Sequence, residues 1–168
     1  MAKVSLQLAP RNDPLGLGQR AWNNLKLIER SYDTEHQGHV VTQLVQTLIA
    51  LVVFPKEKGF LARIERCQLQ ELEKRGWPRP KQVVGKTVTL HHLFKGMRNA
   101  VCHGLMKFYG DSGHGSNSRN LSEISIEFSD RKNDSAPIHW QIVMEGPELR
   151  RFLYYILEYL NDGPPGPL

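Results

Sequence analysis

Arg98 and His103 stand five residues apart, with Asn99 beside the arginine and Gly104 after the histidine. A guanidinium stays charged at physiological pH and can grip two phosphate oxygens at once. An imidazole titrates near neutrality, so it can take a proton or give one. A neighbouring amide can orient either group or hydrogen-bond a substrate. This set suits proton transfer at an anionic, phosphate-bearing centre, and it requires no metal ion or other cofactor.

The element that must position these groups is the segment Thr87–Gly104, which reads as one helix capped by Thr87 or Thr89. Leu90, Leu93, Phe94, Met97, Ala100 and Val101 share an apolar stripe at helical spacing. On the other side His92, Gly96, Asn99 and His103 fall within about 60° of one another. Arg98 lies off this row, and only its long side chain can reach round to it. A glycine amid the row lets another backbone approach, which predicts that the polar groups line a shared crevice.

The Arg-Asn-x3-His spacing, on an amphipathic helix and followed by Gly104, resembles the R-[polar]-x3-H signature of the HEPN superfamily. The likeness runs from roughly Leu15 to Leu160. It implies a metal-independent endoribonuclease, a toxin or a defence effector, whose composite site forms where two copies of the motif helix meet. A second Arg–His pair, Arg30 and His36, also has permitted spacing. It is followed by Ser31 and crosses an expected helix end, so we read it as accidental. Some HEPN toxins are silenced by nucleotidylation of a tyrosine two residues after the histidine. Leu105 occupies that position here, and Tyr109 lies too far along.

RNA carries its own nucleophile, the 2′-hydroxyl, next to each phosphodiester. Cleavage needs a base for that proton, an acid for the departing 5′-oxygen, and positive charge on the non-bridging oxygens. His103 fits the first two roles and Arg98 the third, with Asn99 in support. Two imidazoles serve this chemistry better than one. A two-fold axis through the motif helix would bring two sets together in a homodimer. His92 shares the row but lies about 16 Å from His103 along the helix, so it acts at a partner's site or simply at the interface. Lys86, Lys95 and Lys107 are the expected contacts to the RNA backbone. Cys102 points about 100° from His103, so a thiol–imidazole pair is not expected to act as nucleophile.

At 168 residues the chain is sized for a single domain spanning 1–168, with a real core. Residues 56–107 hold twelve Lys or Arg against four Glu, while the remainder is slightly acidic. The positive half is the half that carries the motif, as a polyanion-binding surface requires. Cys67 and Cys102 are the only cysteines, and nothing near Met1 has the apolar core of a signal peptide. Reduced thiols in a cytoplasmic protein are expected. The most apolar run, Val40–Phe54, is interrupted by Thr42, Gln43, Gln46 and Thr47 and is too short to span a bilayer.

Around the motif the chain is expected to be mainly α, a HEPN-like up-and-down bundle of four or five helices. Helices are predicted over Leu15–Tyr32, His39–Phe54 and Phe60–Arg75, with a loop from Gly76 to about Lys86. Residues 1–14 and 161–168 read as irregular, and Gly110–Asn120 as a loop. His36 and His39 are one helical turn apart but have no third ligand in sequence. Between Ile124 and Met144 the period changes to two, which predicts a β-hairpin over 121–144, inserted before the last helix. That helix starts at Pro147 and turns Leu149, Phe152, Leu153, Ile156, Leu157 and Leu160 inward. Two other functions fit the sequence: a non-catalytic module that binds RNA or a nucleotide, and a structural dimerisation domain. An antitoxin is a further possible partner; a membrane is not expected.

Overall fold

The computed structural model describes residues 14–35, 38–53, 64–110, 113–114 and 120–162. Helix α1 (Pro14–Glu35) begins on a proline, whose missing N–H costs nothing in a first turn. It continues through Ser31–Glu35, where the sequence suggested an end, and Thr34 Oγ1 donates back to the Arg30 carbonyl at 2.9 Å. Helix α2 (Val40–Leu48) passes into a π-helical turn, Ile49–Val53, whose Ala50, Leu51 and Val52 are buried. Trp22 and Leu25 of α1 join Leu44, Leu48 and Leu51 in the core.

The third predicted helix is interrupted. Residues 60–63 lie outside the described residues; among the described ones Ile64 is helical, and regular helix resumes as α3 (Leu69–Lys74). Cys67 and Gln68 are extended instead, because they pair with the stretch leading into the motif helix. Leu69 N donates to the Val88 carbonyl at 2.9 Å, Leu90 N donates to the Cys67 carbonyl at 2.8 Å, and Gln68 bridges Thr89. This pairing anchors the start of the motif helix, α4 (Leu90–Cys102).

The expected loop after Gly76 contains a short strand, β1 (Lys81–Val84). After α4 the chain forms β2 (Met106–Gly110) and β3 (Gly113–His114), then β4 (Ile124–Asp130) and β5 (Trp140–Glu145). The predicted hairpin is present as β4–β5, in register from Ser125 opposite Glu145 to Asp130 opposite Trp140. Ile138 precedes β5 and is exposed. The hairpin is the centre of a larger sheet, an antiparallel one in the order β1-β5-β4-β2-β3. The described residues are mainly helical, as expected, and the hairpin belongs to a five-stranded sheet larger than a simple insertion, with the motif helix and the last helix packed on one face of it.

Alternation along the strands explains that layering. Met106, Phe108, Ile126, Phe128, Ile142 and Met144 join the core on the helical side. The other face carries Lys107, Tyr109, Glu127, Ser129 and Gln141. The last helix, α5 (Gly146–Asp162), follows β5 directly and buries Leu149, Phe152, Leu153, Ile156 and Leu157 as expected, with Tyr159 in addition. It includes Asn161 and Asp162, which the sequence placed in an irregular tail. Each fully buried Leu, Ile or Phe on these faces contributes about 1.5–3 kcal/mol relative to exposure.

Candidate active site on the motif helix

Helix α4 is well delimited at both ends. Thr89 is the N-cap, its hydroxyl accepting from His92 N at 3.2 Å, while Thr87 is used elsewhere. His103 is the C-cap and Gly104 follows at φ +65°, a left-handed conformation that glycine adopts without strain. Leu105 N donates to the Ala100 carbonyl at 2.8 Å, and Gly104 N donates to the Val101 carbonyl at 3.3 Å. These two bonds make a Schellman motif, so the glycine after the histidine ends the helix and leaves the His103 side chain exposed at its rim.

Leu90, Leu93, Phe94, Met97 and Ala100 are buried, as the apolar stripe predicts. Gly96 is also buried, but the backbone expected against it is not there. A Cβ at Gly96 would lie 2.6 Å from the ring of Trp140, at the start of β5. The Trp140 indole N–H donates to Thr87 Oγ1 at 2.7 Å, which fixes the ring over the helix. The close approach at Gly96 is thus filled by this chain's own hairpin and not by a partner's helix.

The same hairpin completes the polar row. Arg98 Nη2 donates to Asn99 Oδ1 at 2.8 Å, so the long arginine side chain does reach round, as the spacing required. Asn99 Nδ2 donates to Asp130 Oδ2 at 2.9 Å. Both oxygen and nitrogen of the Asn99 amide are engaged in holding Arg98 and Asp130. Its contact with His103 runs through the backbone, His103 N donating to the Asn99 carbonyl at 2.9 Å. Asp130, at the end of β4, is only 7% exposed, and a carboxylate buried to that extent needs partners. Its second neighbour is His139, whose Nε2 lies 3.6 Å from Oδ2.

Asp130 and His139 were missed in the sequence. A lone Asp at the end of β4 and a lone His before β5 carry no motif, and only the strand pairing brings His139 to Asp130 while Asp130 meets Asn99. The His139 backbone N–H donates to the Asp130 carbonyl at 3.1 Å, closing the hairpin next to the site.

The other predicted residues separate. His92 and Lys95 are exposed on the same helix, and Lys86 is exposed in the segment whose Thr87 holds Trp140. Lys107 is on the far face of the sheet, 3.4 Å from Glu127 Oε1. Burial alone would raise the Glu127 carboxyl, but hydrogen bonds from Tyr109 and Gln141 and the charge of Lys107 outweigh it. Its pKa is held below the ordinary carboxylate value. The Tyr109 hydroxyl, donating to Glu127 Oε2 at 2.8 Å, is shifted upward by that bond, by burial and by the adjacent charge. Of the accidental pair, Arg30 is exposed on α1 and His36 lies outside the described residues.

The motif helix thus ends in an exposed histidine, with a tethered arginine five residues before it. The chain belongs to the HEPN superfamily: the family model HEPN pEK499 p136 matches residues 15–163. HEPN membership points to nuclease or RNA-related function in general. No curated protein and no solved structure matches the chain. Among the described residues, no helix is long and apolar enough to cross a membrane.

Proposed function

We propose that the protein is a metal-independent endoribonuclease that cleaves RNA by attack of the 2′-hydroxyl on the adjacent phosphorus. The observation that carries this reading is the chain of contacts from Arg98 through Asn99 to the buried Asp130, beside the exposed His103. It holds a half-buried guanidinium in place, and the unused N–H groups of that guanidinium can bind non-bridging phosphate oxygens. His103 transfers the proton. Lys86 and Lys95 are assigned to the RNA backbone, with Lys107 reaching only a strand that wraps to the far face.

A homodimer fits this chemistry. His92, Lys95, Cys102 and His103 are exposed along α4, and a two-fold contact there would place two motifs in one cleft. The partner would meet this exposed side, since Gly96 is already occupied. An effector of this kind would act as a toxin or in defence, with an antitoxin covering the same face.

One feature favours the alternative of a module that binds RNA or a nucleotide without turnover: the His103 ring is exposed, no side chain among the described residues hydrogen-bonds it, and a base left unoriented is a poor catalyst. Incubating purified protein with mixed cellular RNA in chelator separates the two. Cleavage supports the nuclease, retention without cleavage supports the binding module, and the absence of both cleavage and retention contradicts both readings.

A further inference from the structure

Cleavage by the 2′-hydroxyl requires two proton transfers, and His103 is the one imidazole that the HEPN motif supplies. A second one stands in the same chain. His139 sits just before β5, with its side chain about half exposed, and its Nε2 is 3.6 Å from Asp130 Oδ2. The same carboxylate oxygen accepts from Asn99, and Asn99 accepts from Arg98. A single buried carboxylate therefore lies between the phosphate-binding arginine and this imidazole. The His139 backbone is fixed as well, by its N–H bond to the Asp130 carbonyl. No lysine or arginine pairs directly with Asp130 among the described residues, so its contacts at the site are the amide and the imidazole. Ser129, next to Asp130, donates its N–H to the Leu105 carbonyl at 3.0 Å. This bond ties the end of β4 to the chain two residues beyond His103, so both histidines flank the same short stretch of backbone.

We propose that His139 is a catalytic residue of the same subunit and that His103 and His139 divide the two proton transfers. The proposal rests on the ribonuclease reading above. In the step, one imidazole takes the 2′-hydroxyl proton as the O2′–P bond forms. The P–O5′ bond breaks, its electron pair goes to the 5′-oxygen, and that oxygen receives a proton from the other imidazole. Arg98 carries the charge on the non-bridging oxygens. The products are a 2′,3′-cyclic phosphate and a 5′-hydroxyl, with no co-reactant consumed.

The test compares the full-length parent, His103→Ala and His139→Ala on two substrates in chelator. One is an ordinary RNA, and the other carries sulfur in place of the bridging 5′-oxygen at one linkage. A thiolate leaves without being protonated, so only the acid becomes dispensable. On ordinary RNA each variant should lose roughly 10²–10⁴ in rate, the usual worth of a positioned proton-transfer group. On the sulfur-bridged linkage one of the two variants, and only one, should return to near the parent's rate. A purely structural role for His139 would not produce that rescue. Parent-like cleavage of ordinary RNA by His139→Ala would overturn the proposal while leaving the ribonuclease reading intact. So would rescue of both variants, or of neither. A parent that cuts neither substrate would remove the ribonuclease reading, and this proposal with it.

Discussion

Gly96 is the residue at which a sound local inference met an unforeseen neighbour. A glycine in a helix interior costs roughly 0.5–1 kcal/mol relative to alanine, so something must need the space. The occupant is the Trp140 ring, 2.6 Å from where a Cβ would be. Gly96→Ala should therefore destabilise the protein despite alanine's better helix propensity, by about 1–3 kcal/mol for overpacking a core contact. Thermal melting checks this, and an unchanged or raised Tm would contradict the assigned packing. On the far face of the sheet, the Glu127 carboxyl is held below its ordinary pKa in the folded state. Such a group contributes stability above the carboxylate pKa of the unfolded chain, and that contribution is lost as pH falls through the lower folded value. Unfolding free energy should accordingly drop on acidification through this window. In Glu127→Gln the drop should be smaller, as denaturant titrations at several pH values would reveal.

At the level of elements, α4 was the most legible part of the chain, because its stripe, its cap and Gly104 all agree. Thr89→Ala removes the N-cap acceptor and should cost about 1 kcal/mol, read as a lower denaturation midpoint with an unchanged slope. The β4–β5 hairpin was legible too, since Ile124–Phe128 and Trp140–Met144 alternate cleanly. The flanking strands were not. Lys81, Gln82 and Val83 are all exposed, and β1 shifts register between Gln82 and Val84, so no alternation marks it. Met106–Gly110 has Met106 and Phe108 on the core side, but only five residues in which to show it. The break at Cys67–Gln68 was hidden for a different reason. Helical spacing of Ile64, Leu69 and Leu72 is preserved across it, while the backbone pairs with Val88–Leu90, a contact of long sequence range. The site divides in the same way. Arg98, Asn99 and His103 are read from local spacing, whereas Asp130 and His139 depend on which strand lies over the helix.

Across the whole molecule, the excess of basic residues over 56–107 coincides with the half that contains the motif. Lys86→Gln and Lys95→Gln should weaken RNA binding and reduce the salt dependence of log K by about one unit per lysine, with unchanged melting. Salt-independent binding would contradict an electrostatic RNA surface there. The central claim is that Arg98 and His103 cut RNA with the RNA's own hydroxyl. The most direct measurement is the rate and end-group chemistry of RNA cleavage in chelator, for the parent, His103→Ala, Arg98→Ala and Arg30→Ala. The parent and Arg30→Ala should give 2′,3′-cyclic phosphate ends at similar rates. His103→Ala should be slower by roughly 10²–10⁴, and Arg98→Ala strongly reduced, with both variants still folded. Simple terminal phosphates that vanish in chelator, or His103→Ala cutting as fast as the parent, would contradict it.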